Sequence, residues 1–229
     1  MTVPAAASRT LVLWDVDHTL IETRGVGRAI YDRAFPAATG KPLAKLANIA
    51  GRTELDIMAE SLRLNGVEPT NEAMKTLADA LVRGYEDARD ELAITGRALP
   101  DAREILERFA ADRLIHQAVL TGNLRDVARI KLETFGLADY LDFESSAFGD
   151  DHAERPELVQ IARRRAEAQT RDRFDNAHVV VIGDTRNDVK AALTAGVRVI
   201  GVATGKSSEA DLRAVGATEV VARLSDLQL

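Results

Sequence analysis

The chain of 229 residues contains no cysteine. Disulfides, thiolate metal ligands and a cysteine nucleophile are thereby excluded, and the composition fits a reducing compartment. Nowhere do 18 apolar residues run together, and "MTVPAAASRT" lacks the basic start and apolar core of a signal peptide. The expectation is a cytoplasmic protein with no membrane partner. Long blocks of one charge sign are also missing: 30 basic residues stand against 36 acidic ones, for a net charge of −6. Without a basic patch no nucleic-acid partner is expected, and "ARRRAEAQTRDR" reads as a solvated helix face. No internal repeat or low-complexity segment occurs. What is present is an ordinary globular balance, 46% hydrophobic and 29% charged, enough to offset the entropy of ordering a core.

Three apolar runs bounded by turn residues predict strands buried on both faces of a parallel sheet: "TLVLW" before Asp15, "IHQAVL" before Thr121 and "HVVVI" before Gly183. A fourth, "VRVIGVA", follows. Helical patterns lie between them. In "PDAREILERFAAD" Pro100 suits a first helical turn. "NLRDVARIKLETFG" places Leu124, Val127, Ile130 and Leu132 or Phe135 on one side and stops at Gly136. "PELVQIARRRAEAQ" and "RNDVKAALTAG" complete the alternation of a doubly wound, Rossmann-like α/β fold.

From about Arg24 to Thr95 the pattern is helical throughout. "TELDIMAESLRLNG" offers Thr53 and Asp56 as a capping box and Gly66 as a stop. Leu55, Met58 and Leu62 form a core stripe, and Ala73, Leu77, Leu81 and Tyr85 recur at helical spacing in the next segment. The division expected is a core of residues 1–23 and 96–229 with a helical cap, 24–95, inserted after the first strand.

In open α/β sheets ligands bind beyond the carboxyl ends of the strands. There stand Asp15 and Asp17, then Thr121, Gly122 and Asn123, then Asp184, Thr185 and Asp188, with Arg155 ahead of a proline-started helix. A carboxylate pair two residues apart is costly unless a cation or hydrogen-bond donors offset it. Aspartates from separate strands suit a hard cation such as Mg²⁺. One carboxylate can attack phosphorus, a second can protonate the leaving alkoxide, and a glycine turn, a hydroxyl and a cation can hold the phosphate oxygens. Read singly, Asp15 and Asp17 could instead cap a helix, Thr121 could be a turn residue, and Asp188 could cap "RNDVKAALTAG". Asp150 and Asp151 read as extra metal contacts or as a solvated acidic turn.

Taken in order, these residues resemble the haloacid dehalogenase superfamily of phosphatases with a helical cap, the branch of phosphoglycolate phosphatases and β-phosphoglucomutase. Its DxDxT motif stands as Asp15-Val16-Asp17-His18-Thr19, its Ser or Thr as Thr121, its basic residue as Arg155, and its GDxxxD motif as Gly183 to Asp188. The resemblance covers nearly the whole chain. It implies Asp15 as nucleophile and Mg²⁺ ligand, and Asp17 as acid/base that also gives the metal its backbone carbonyl. Thr121 would bond the phosphate with Gly122 and Asn123 beside it, and Arg155 would pair with phosphate and nucleophile. Asp184 and Asp188 would complete the metal shell. The implied substrate is a small phosphorylated metabolite, the implied state a monomer or homodimer. His18 stands where relatives have glycine, and arginine stands at 155 where lysine is commoner. In "AGRTELD", Arg52 is the cap residue expected to meet an anionic substrate group. A phosphomutase and a phosphonate hydrolase, which would need a cap lysine such as Lys41 or Lys45, are the enzymatic alternatives; a non-catalytic phosphate or metal binder is the other.

Overall fold

The structure is a computed structural model and describes residues 9–229. Residues 1–8, including most of the stretch inspected for a signal and the start of the expected 1–23 segment, lie outside the described residues.

Strand β1 (Thr10–Trp14) sits inside a five-stranded sheet. Its neighbours are β4 (Ile115–Val119) and β5 (Val179–Gly183), followed outward by β6 (Arg198–Val202) and β7 (Glu219–Val221), all parallel. Successive strand side chains point to opposite faces. Val12, Trp14, Val119, Val180, Ile182, Ile200 and Val202 accordingly meet α5 (Ala102–Ala110) and part of α6 (Arg125–Thr134). Leu11, Leu13, Ala118, Val179, Val181 and Val199 meet α7 (Arg155–Thr170), α8 (Arg186–Ala195) and α9 (Glu209–Ala214) on the other face. Burial on both faces is why the strands read as continuous apolar runs. The last strand, only three residues long and at the sheet edge, was not expected from the sequence. The helix expected to open at Pro100 begins at Ala102, because Asp101 takes a left-handed φ of 64° that interrupts it.

Between β1 and β4 lie α1 (Val26–Thr39), α2 (Glu54–Leu64), α3 (Asn71–Asp87) and α4 (Arg89–Thr95). They are bracketed by a two-stranded antiparallel ribbon, β2 (Ile21–Glu22) with β3 (Arg97–Ala98). Their apolar faces form a third cluster around Ile30, Phe35, Met58, Leu62, Leu77, Leu81 and Tyr85. Leu124, which caps α6, and Val127 and Ile130 within it join this cluster, whereas Ala128 and Leu132 of the same helix join the sheet. The single apolar side expected of α6 is thus two sides, and the helix is shared between both bodies. None of the described helices is long and apolar enough to cross a membrane.

The capping box expected at Thr53 and Asp56 does not form. Thr53 Oγ1 donates instead to the Ala153 carbonyl at 2.7 Å, and Asp56 pairs with Arg52. The free N–H groups that open α2 are satisfied by carbonyls of the sheet body: Glu54 N donates to Gly122 O at 2.7 Å and Leu55 N to Gly149 O at 3.2 Å. Such close backbone approach needs glycine. A Cβ on Gly122 would collide with the Arg52 carbonyl, and one on Gly149 with the Gly122 carbonyl. Gly149→Ala is therefore expected to cost about 1–3 kcal/mol, the usual scale of overpacking, in urea unfolding, and to speed hydrogen exchange at the Glu54 and Leu55 amides. Unchanged exchange there would remove the docking role.

Candidate active site

The sheet order brings the candidate residues together because β4 and β5 both flank β1. Asp15 follows the last residue of β1, its N–H held by Ile182 O at 2.9 Å. Thr121, just past β4, is tied to Ala147 O at 3.2 Å, and Asp184 follows β5. Arg155 reaches in from the first turn of α7. Its Nη2 lies 2.7 Å from Asp15 Oδ1 and 2.5 Å from Asp188 Oδ1, with both partners and the guanidinium buried. Thr19 Oγ1 lies within hydrogen-bond reach of Asp15 and Asp184, at 3.2 and 3.4 Å. Asp188 serves two purposes. One oxygen takes Arg155, while the other accepts the Thr185 N–H at 3.0 Å, closing a capping box at the start of α8.

Asp15, Asp184 and Asp188 each offer a carboxylate oxygen within 4.8 Å of the others. One guanidinium cannot neutralise three carboxylates. Burial, then the charge of Asp188, push Asp15 up to about 7 against the pull of Arg155. Burial and the charge of Asp15 push Asp184 up to about 8. A compact set of hard oxygen donors with an uncompensated negative charge fits Mg²⁺, which prefers such ligands. Arg155 Nε is buried without a hydrogen-bond partner, leaving a donor for an anion such as phosphate.

Asp17 stands apart from this trio. Lys131 Nζ lies 2.9 and 2.7 Å from its two oxygens, and Asn123 Nδ2 donates to Oδ2 at 2.7 Å. Lys131 also donates to Asn123 Oδ1, and Asn123 reaches Thr121 Oγ1 at 2.8 Å. Burial pushes Asp17 up, but Lys131 and Asn123 together overcome it and hold the carboxyl below its ordinary value. Lys131 was not among the residues singled out in the sequence. The signal was its place four residues after Val127 and seven after Leu124, a lysine on an apolar stripe.

A family model described as "Haloacid dehalogenase-like hydrolase" matches residues 12–202. The chain belongs to that family. A phosphoglycolate phosphatase of Neisseria meningitidis is 33% identical over 117 residues, 51% of this chain; the match spans only about half, 47%, of that relative. Among solved structures, CbbY from Rhodobacter sphaeroides in complex with phosphate superposes on this hydrolase with TM-score 0.73 at 20% identity, covering 96% of each chain. A hydrolase from Pseudomonas syringae gives 0.69 at 23%, again over 96% of each. These likenesses are of fold.

Other candidates fall differently. The Arg52 guanidinium is held by Asp56 at 2.6 Å, by Glu60 and by the Asn48 carbonyl, and the residue lines a cleft with Arg155. Gly122 meets that segment through its carbonyl. His18 adopts a left-handed φ of 62°, the backbone region that favours glycine. Asp150 accepts the Arg125 N–H and Asp151 pairs with Arg165, the acidic-turn reading of both. Lys41 is exposed and donates to Gly66 O, and Lys45 is exposed as well, so neither is desolvated as a Schiff-base lysine requires.

Raised carboxyl values carry a sign. Between the unfolded value of 3.8 and about 7 to 8, the folded hydrolase keeps protons that the unfolded chain has released. Their contribution to stability is full below about pH 4 and is lost as pH rises through that window. In chelator the melting temperature should fall by at least ~2–4 °C from this pair between pH 5 and 8, the shift expected for about 1 kcal/mol. Asp184→Asn should flatten the slope, and Mg²⁺ should stabilise more at pH 8 than at pH 5. A slope unchanged by Asp184→Asn would contradict the charge crowding.

Proposed function

We propose that this hydrolase is a Mg²⁺-dependent phosphatase that cleaves a small phosphorylated metabolite through an aspartyl-phosphate on Asp15. The observation that carries the reading is the buried trio of Asp15, Asp184 and Asp188 facing Arg155 with its free Nε. The relative named as a phosphoglycolate phosphatase supports the class of reaction and of substrate. Cytoplasmic placement and a cap formed by residues 24–95 belong to the same proposal, the latter supported by the separate apolar cluster and the ribbon that brackets it.

Asp15 attacks phosphorus, and the bond to the leaving oxygen breaks as that oxygen takes a proton from Asp17, which Lys131 and Asn123 keep ionised in the free site and which takes up that proton from solvent before the leaving oxygen docks. Water then attacks the acyl phosphate, losing its proton to Asp17, and Asp15 is released with inorganic phosphate. Arg155 holds Asp15 in place and offers its remaining N–H groups to phosphate oxygens, and Thr121 adds its hydroxyl. Asn123 and Lys131 hold Asp17 at a fixed bearing beside the leaving group. Mg²⁺ bound by Asp15, Asp184 and Asp188, with the Asp17 carbonyl, would neutralise charge on the phosphate and the nucleophile.

Asp15→Asn should abolish hydrolysis of p-nitrophenyl phosphate with circular dichroism unchanged, because it removes the nucleophile and little volume. Activity above about a tenth of wild type would sink the assignment. Asp17→Asn should slow alkyl phosphates by ~10²-fold or more, with aryl phosphates less affected in the first displacement because their leaving groups need no proton. Equal single-turnover effects on both would exclude the acid role.

A further inference from the structure

The leaving group emerges beside Asp17, because an acid that protonates the leaving oxygen must stand within hydrogen-bond reach of it. The groups that face Asp17 therefore face the part of the substrate that is not phosphate. On the sheet side these are Lys131 and Asn123. From the helical segment come Glu54 and Tyr85. Tyr85 presents its ring 5.1 Å from Lys131 Nζ. Glu54 lies at the first residue of α2, with its backbone N–H on the Gly122 carbonyl, so the residue is seated directly over the Thr121–Gly122–Asn123 loop. Its carboxylate accepts the Tyr31 O–H through Oε1, leaving Oε2 without a protein partner.

Charges around this spot can be followed by name. Lys131 is compensated by Asp17, and Arg52 by Asp56 and Glu60. Arg155 is compensated by Asp15 and Asp188. Glu54 has no salt-bridge partner among the described residues; burial raises its carboxyl above the ordinary value, against the pull of the Tyr31 hydrogen bond and of Lys131. A second carboxylate brought in on the substrate would meet Glu54, while the cation beside it, Lys131, already holds both oxygens of Asp17, and like charges in a desolvated cleft exclude one another. A hydroxyl suits the same place. It can donate to the free Oε2 of Glu54 and accept from the Tyr85 phenol.

We infer that Glu54 is a specificity-determining residue, and that it selects an uncharged, hydroxyl-bearing leaving group, a polyol or sugar, over a carboxylate-bearing one. The inference rests on the phosphatase reading and goes further in naming the substrate's chemistry. It separates this chain from the substrate in the name of its phosphoglycolate phosphatase relative.

The test compares glycerol 3-phosphate with phosphoglycolate in Mg²⁺ for wild type, Glu54→Gln and Tyr31→Phe. Wild type should favour glycerol 3-phosphate in kcat/KM by ~10-fold or more, the scale of one misplaced charge. Glu54→Gln should cut that ratio by ~10-fold, with the change in KM, because the amide keeps the shape and removes the repulsion. Tyr31→Phe, which frees the carboxylate without deleting it, should move the ratio less and guards against a Glu54 variant that fails to fold. A residue that merely props up α2 would lower both substrates alike and leave the ratio unchanged. Wild-type preference for phosphoglycolate, or a ratio untouched by Glu54→Gln, overturns the inference while the phosphatase reading stands. Absence of wild-type turnover even with p-nitrophenyl phosphate overturns both.

Discussion

Three buried carboxylates share one buried guanidinium where β1 and β5 end, and most of the local structure follows from that imbalance. Arg155 cannot be replaced by an apolar residue without leaving Asp15 and Asp188 uncompensated, a far larger loss than the pair itself contributes. It is also short of what the site demands, as the upward displacement of Asp15 and Asp184 records. A fold tolerates such a concentration of charge when something else completes it. A divalent cation and a phosphate dianion together would supply both signs, and Arg155 Nε is buried with no hydrogen-bond partner.

A second constraint separates the two aspartates of the first motif. Asp15 and Asp17 are two residues apart, yet their surroundings drive them in opposite directions. Asp15 is crowded by carboxylates, while Asp17 is clasped by Lys131 and Asn123. Both Asp17 partners come from the segment that follows β4. Asn123 sits in the turn and Lys131 two helical turns further along α6, on the side that packs against the helical segment. The helix that packs against α1 to α4 is thus also the helix that carries Lys131 to Asp17.

How much of this the sequence declares depends on whether a residue's signal is local. Asp15, Asp184 and Thr121 each follow an apolar run, and run plus polar terminus is visible without a structure. Lys131 announces itself only through helical phase, since the composition around it, "RIKLET", is that of an exposed helix. Glu54 and Asp56 look interchangeable in "TELD", but one turns to Tyr31 and the other to Arg52, a difference set by how α2 docks on Gly122 and Gly149. The failed capping box has the same origin, because a helix whose first N–H groups are satisfied by a neighbouring body has no need of its own side-chain cap. The three-residue β7 carried too few residues for a pattern, and its place in the sheet is decided by pairing with β6.

The central claim is that Asp15 becomes covalently phosphorylated, and trapping that species tests it most directly. Asp17→Asn, slowed most in the second displacement, is mixed with p-nitrophenyl phosphate and Mg²⁺, quenched in acid and weighed intact. The account predicts a mass gain of one phosphoryl group per chain, mapping to the peptide that holds Asp15, alongside a matching burst of p-nitrophenol. Turnover that proceeds with no burst and no phosphorylated chain at any quench time would contradict it, and would point to direct attack by water.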